Sequence, residues 1–190
     1  MRKIILLEHT SLDGFIAGPN GEMDWIRVDD EIFDFVGKFT EDADTALYGR
    51  VTYQMMESYW PAAAENPAAT KHDIEHAHWV NNASKIVFSR TLKKTSWNNT
   101  RIIHEHIGEE MQKLKEHAGK NILMIGSPGL AQTFMQLDLI DEYWINVNPI
   151  ILGIGMPLFK DIKHRINLNL IQVKEFSSGV VGFQYKTDKK

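Results

Sequence analysis

Cysteine is absent from the 190-residue chain, which excludes a disulfide framework, a thiolate metal site and a cysteine nucleophile. A basic excess is missing as well. Lys and Arg number 21 against 25 Asp and Glu, a formal net charge of -4, and no Lys/Arg cluster marks a face for nucleic acid. Long apolar runs are lacking. The run in MRKIILLEHTSLDG meets Glu8 almost at once, too short for a signal peptide or a membrane-crossing helix, so the expected setting is the cytoplasm. Neither G-x-G-x-x-G nor a Walker A sequence occurs, which removes two common nucleotide fingerprints.

What is present has the ordinary balance of a packed protein, 43% hydrophobic and 24% charged, at a length that suits a single domain over residues 1–190. Lys3 to Leu7 is an apolar run that predicts a buried strand, followed by a polar, glycine-containing loop from Ser11 to Gly21. Ile32, Phe33, Val36 and Phe39 recur at helical spacing behind an acidic first turn, which predicts a helix from Asp29 or Asp30. Ala43 to Tyr48 reads as a strand ending at Gly49, and Val51 to Tyr59 as a helix that Pro61 interrupts. The Ala/Pro-rich stretch 61–69 and an exposed helix over Lys71 to Asn82 form the expected insertion or lid.

Further strands are predicted over Lys85 to Phe88, Arg101 to His104 and Ile122 to Ile125, with helices over Ile107 to His117 and Leu130 to Leu137. Three closing strands follow, over Glu142 to Asn148, Asn167 to Lys174 and Val180 to Lys186. This order predicts an α/β fold with a mostly parallel central sheet of about eight strands, flanked by helices, with an antiparallel C-terminal edge. Ligands of such sheets bind beyond the carboxyl ends of the strands.

Three strand-end loops carry groups suited to phosphate. Gly49, Arg50 and Thr52 offer a helix N-terminus, a guanidinium and a hydroxyl to a pyrophosphate, although a strand-end glycine also marks an ordinary tight turn. Ser89, Arg90 and Thr91 suit a phosphate monoester such as the one that distinguishes NADPH from NADH, or form an exposed turn. Gly126, Ser127, Pro128 and Gly129 lie between an apolar strand and a helix, where small residues let backbone approach a cofactor.

With those loops in view, SLDGFIAGPNGEMDW at 11 to 25, YGRVTY at 48 to 53, FSRTL at 88 to 92 and MIGSPGLAQTFMQLDLIDEYWI at 124 to 145 carry a resemblance. Over nearly its whole length the chain resembles dihydrofolate reductase and the C-terminal reductase domain of the bifunctional riboflavin-biosynthesis enzyme. The resemblance implies an NADPH-dependent reductase of a small heterocycle, with Gly49, Arg50 and Thr52 on the pyrophosphate side and Ser89, Arg90 and Thr91 near the adenosine 2′-phosphate. It places Ala17 and Gly18 near the nicotinamide and Gly126, Ser127, Gly129 and Leu130 over the middle of the cofactor. The chain departs from the pattern at Ser127-Pro128, since Pro128 supplies no N–H.

The same resemblance sets Trp25 at the substrate pocket and a carboxylate early in the following helix against the substrate. Counting from Met23-Asp24-Trp25 lands on Asp30, with Asp29 the alternative, and partial shielding from water would suit such a carboxyl to proton delivery. Both residues also serve any helix N-terminus, Trp25 also packs under its loop, and Asp13 caps a turn on the plain reading. A pteridine and a phosphoribosylamino-pyrimidine remain alternative substrates; SLDGFIAG looks closer to the riboflavin-type branch, without its deaminase domain.

Two rivals stand beside the reductase. His72, Glu75 and His76 match H-x-x-E-H, the pattern of a zinc hydrolase, but no third ligand is identifiable and a polar helix face explains them; no metal is expected. A nucleotide-binding module without turnover is the other. Tyr143, Trp144, Ile145 and Val147 load one late strand on both faces, which fits a homodimer, as similar riboflavin-type reductases form, or burial within one protomer.

Overall fold

The computed structural model describes residues 1–188. The last two positions of the domain expected over 1–190 lie outside the described residues. In chain order the elements are β1 (Ile4–Thr10), β2 (Phe15–Ala17), α1 (Asp30–Glu41), β3 (Ala43–Gly49), α2 (Arg50–Ala63), α3 (Lys71–Asn82), β4 (Ser84–Phe88) and β5 (Thr100–Ile103). They continue as α4 (Ile107–Glu116), β6 (Asn121–Ile125), α5 (Pro128–Gln136), β7 (Glu142–Val147), β8 (Met156–Pro157), β9 (Leu168–Glu175) and β10 (Val181–Thr187).

The main sheet has 8 strands in the order β5-β4-β3-β6-β1-β7-β10-β9. Strands β5 to β7 in that order pair in parallel, and β10 runs antiparallel to both β7 and β9, which is the mixed sheet expected from the sequence. The parallel strands are buried on both sides, so side chains alternate between two cores. Ile4 and Leu6 of β1 join Met111 of α4 and Leu130, Ala131 and Phe134 of α5 on one face. Leu7 turns to the opposite face with Trp144 of β7 and Ile32 of α1, while Tyr53 of α2 and Val80 of α3 share a neighbouring cluster beside it. Helices therefore cover both faces of the sheet.

Several boundaries differ from the sequence reading, each for a local reason. Strand β1 runs on through Glu8, His9 and Thr10, because neighbouring β7 continues to pair with it up to Thr10 opposite Val147. Helix α2 passes through Pro61 and ends at Ala63; so near the end of the helix the proline removes little of the hydrogen-bond ladder. The α3 segment is not an exposed lid: Ala77 and Val80 are buried, and the Trp79 indole donates to the Ala43 carbonyl oxygen at 3.0 Å. Strand β7 lies inside the sheet between β1 and β10, so Tyr143, Trp144 and Ile145 are buried within one protomer. The short β2–β8 ribbon had no signal in the sequence, since it comprises too few residues to show alternation.

Gly182 of β10 is required by packing against that interior strand. A Cβ there would lie 2.4 Å from Trp144 Cζ2 and 2.9 Å from Asn146 Oδ1. Trp144 is fully buried and its indole N–H donates to Asn146 Oδ1 at 2.8 Å, so neither group has room to retreat. Gly182→Ala is expected to lower stability by about 1–3 kcal/mol through overpacking, read as a shift in the urea midpoint at unchanged m-value.

Candidate functional site

The three sequence-predicted phosphate loops follow β4, β3 and β6, which are consecutive in the sheet, so the loops emerge side by side at the carboxyl ends of parallel strands. Two of them touch. The Gly49 N–H donates to Ser127 Oγ at 2.8 Å, and a Cβ on Gly126 would meet Thr52 Cγ2 at 3.1 Å. Gly126 and Ser127 both occupy the left-handed region, at φ +67° and +69°, which turns the chain sharply from β6 into α5.

This turn leaves two helix N-termini without side-chain caps, at Gly49 for α2 and Ser127 for α5. The first N–H groups of a helix have no intrahelical acceptor and carry its positive dipole end. Arg50, Val51 and Thr52 supply such donors from α2, and Gly129 and Leu130 from α5. Pro128 supplies none, and the Gly49 N–H is already engaged by Ser127. The Arg50 guanidinium lies exposed, donating to Gln54 Oε1 at 2.9 Å.

In the loop after β4, Ser89 Oγ accepts from the Leu92 N–H at 2.9 Å and the Thr91 N–H at 3.2 Å. These bonds hold Ser89 and Thr91 in a tight turn and leave Arg90 exposed at its tip. Between β1 and β2, Asp13 accepts from the Ser11 hydroxyl at 2.7 Å and from the backbone N–H groups of Leu152 and Gly153 at 3.1 and 2.8 Å. These bonds hold its carboxyl below the ordinary range and tie the β1–β2 turn to the segment before β8. Ala17 and Gly18 are buried behind that turn. The Trp25 indole donates to the Glu22 carbonyl oxygen at 3.1 Å and is half-buried.

The shielding expected of Asp30 is not found. Its side chain is 93% exposed at the start of α1, with His72 Nε2 3.5 Å away. Asp29 is the N-cap of α1: Oδ1 accepts from the Ile32 N–H at 2.8 Å, while Oδ2 is buried without a partner.

Two groups on β1 that the sequence reading passed over are strongly perturbed. Glu8 is buried with Oε1 unpartnered, and burial pushes its pKa from 4.5 up to about 8. Strand alternation puts it on the α5 face beside Ile145, its partner in β7. His9 turns to the α1 face opposite Asn146, and burial holds its pKa down at about 4. The available signal was the alternation itself, since extending β1 past Leu7 places Glu8 in line with Ile4 and Leu6.

His72 and His76 do not share a partner. His72 stacks on Phe33 of α1 at 5.1 Å, whereas His76 packs against Trp60 and Trp79 at 4.3 and 5.4 Å. Among the described residues no group of three or more potential metal ligands comes together. A cleft of about 480 Å³ between α1 and α3 includes both histidines, but it is not at the strand ends.

Glu8 makes stability depend on pH in a defined direction. A folded pKa raised above the unfolded value means that stability is full below about 4.5 and is lost as pH rises towards 8. At about 1.4 kcal/mol per unit, the loss is on the order of 5 kcal/mol. Glu8→Gln should therefore flatten this fall, so that the difference in unfolding free energy between variant and parent grows steadily from pH 5 to pH 8.

Comparison with known proteins agrees with this architecture. Bacillus subtilis YyaP is 41% identical over 186 residues, covering 97% of this chain and 94% of the relative. A putative riboflavin biosynthesis protein from Shewanella sp. PV-4 superposes with a TM-score of 0.74 at 25% identity, covering 100% of both chains. An Enterococcus faecalis dihydrofolate reductase complexed with NADP(H) shares the fold at a TM-score of 0.63 and 13% identity, over 98% of this chain and 97% of that one. The RibD C-terminal domain model matches residues 2–182, and the chain belongs to the RibD C-terminal domain family.

Proposed function

We propose that this protein is a single-domain, NADPH-dependent reductase of a small nitrogen heterocycle. The observation that carries the reading is the Gly49–Ser127 contact, which holds the uncapped starts of α2 and α5 together beside the Arg90 loop. Two adjacent helix N-termini suit a pyrophosphate, and an exposed guanidinium one strand away suits a 2′-phosphate. NADPH, when bound, supplies the hydride.

The chain's own residues then have distinct tasks. Backbone N–H groups of Arg50, Val51, Thr52, Gly129 and Leu130 hold the pyrophosphate, and Ser89 and Thr91 present Arg90 to the 2′-phosphate. Ala17 and Gly18 border the nicotinamide. Trp25 and Asp29 bind substrate, with the unpartnered Asp29 Oδ2 as a buried acceptor. Asp30, open to solvent at the start of α1, is the group that relays the proton accompanying hydride addition to a C=N bond.

The family supports a pyrimidine or a pteridine substrate and a cytoplasmic setting. Among the described residues no helix is long and apolar enough to cross a membrane. We place a homodimer contact on edge strand β9, which leaves Leu168, Leu170, Ile171 and Val173 exposed.

NADPH and NADH titrations followed by tryptophan emission, on the parent and on Arg90→Ala, test the cofactor assignment. NADPH should bind more tightly than NADH. Arg90→Ala should cost NADPH about 1.5–3 kcal/mol, roughly tenfold to over a hundredfold in affinity, and leave NADH unchanged. Equal binding of the two nucleotides by the parent would refute the assignment.

A further inference from the structure

At the carboxyl ends of β1 and β7, on the α1 face, Trp144, Asn146, Asn148 and His9 form a chain of hydrogen bonds whose directions can be assigned one by one. An indole N–H only donates, so the 2.8 Å bond from Trp144 Nε1 fixes Asn146 Oδ1 towards the tryptophan. The Asn146 amide nitrogen then points at His9 Nε2, 3.2 Å away. An amide nitrogen also only donates, so His9 Nε2 must accept, and the proton of the neutral ring resides on Nδ1. Burial keeps the ring neutral at physiological pH, its pKa held at about 4.

Asn148 cannot take the Nδ1 proton. Its Oδ1 accepts from the Arg27 backbone N–H at 2.8 Å, and its amide nitrogen donates to the Thr10 carbonyl oxygen at 3.2 Å. That nitrogen, 3.5 Å from His9 Nδ1, is therefore a donor facing a donor. Among the described residues the Nδ1–H has no acceptor. Asn146 and Asn148 are fully buried, so the framework that aims the imidazole is fixed, whereas His9 itself is only half-buried. Half-buried and aimed by this fixed framework, the Nδ1–H is left to an acceptor from outside the protein.

The geometry points to His9 as a substrate-positioning residue, its Nδ1–H donating to a ring carbonyl oxygen of a planar heterocycle on the α1 side of β1. This rests on the reductase reading and narrows its substrate class. The Arg27–Asn148 bond ties the segment leading into α1 to β7, and two residues further on Asp29 Oδ2 is a buried acceptor without a partner. One partnerless donor and one partnerless acceptor suit a ring with a lactam edge, which carries C=O and N–H side by side. Uracil-type rings have that edge.

Two substitutions separate the two nitrogens of His9. His9→Gln places an amide oxygen near the Nε2 position, keeping the Asn146 bond and removing the Nδ1 donor. His9→Asn places an amide nitrogen near the Nδ1 position, keeping the donor and removing the Asn146 bond. Long-range proton–nitrogen NMR at neutral pH should show His9 neutral with Nδ1 protonated. Calorimetric titration of the NADPH-loaded protein with 5,6-diaminouracil should show about tenfold weaker binding for His9→Gln, while His9→Asn stays within about threefold of the parent. NADPH affinity should be the same in all three proteins.

Protonation at Nε2, unchanged probe affinity in His9→Gln, or no binding of the probe by the NADPH-loaded parent overturns this role. Failure of the parent to bind NADPH overturns the reductase reading itself, and this one with it, whatever the tautomer.

Discussion

The Gly49 N–H to Ser127 Oγ bond couples two loops that belong to separate strand–helix units. Strands β3 and β6 are neighbours in the sheet although far apart in sequence, so their outgoing loops meet as soon as the sheet forms. The meeting is close only because Gly126 offers no Cβ to Thr52 and because Gly126 and Ser127 adopt left-handed backbone. Once held, α2 and α5 start from one surface with their N-terminal donors free. The Arg90 loop, one strand further out, and the β1–β2 turn, fastened by Asp13, extend that surface on either side. An anion such as a dinucleotide pyrophosphate is what this arrangement would hold.

Strand β1 divides the molecule at this surface. Its alternation sends Glu8 to the α5 face and His9 to the α1 face, and burial perturbs both in opposite directions, keeping the carboxyl protonated and the imidazole neutral. Neither group carries charge near neutral pH. Two uncharged, proton-bearing side chains on successive residues of a central strand are unusual for a purely structural core, where apolar residues would pack without the desolvation cost. Perturbed groups of this kind concentrate at functional sites.

Much of this was legible in the sequence. Apolar runs bounded by glycine marked the central strands, helical periodicity marked α1, and the mostly parallel sheet with its antiparallel edge followed from the succession of strands and helices. Pattern reading failed where tertiary contact decides the outcome. The polar end of β1 looked like loop because Glu8, His9 and Thr10 break the apolar run, and only pairing with β7 keeps them extended. Asp30 looked shielded by its position after Trp25, but Asp29 takes the capping place and turns Asp30 to solvent. The hydrophobic load on β7 came from a strand paired on both sides inside the sheet. Asn146 and Asn148 gave no signal, since their importance lies in bonds to residues distant in sequence.

Amide hydrogen exchange with and without NADPH tests whether the loops after β3, β4 and β6 act as one nucleotide-binding surface. NADPH should slow exchange at Arg50, Val51, Thr52, Gly129 and Leu130 together, with Arg90 and Thr91 also slowed, and little change in α4. Protection confined to the cleft between α1 and α3, or in only one of the three loops, would contradict it.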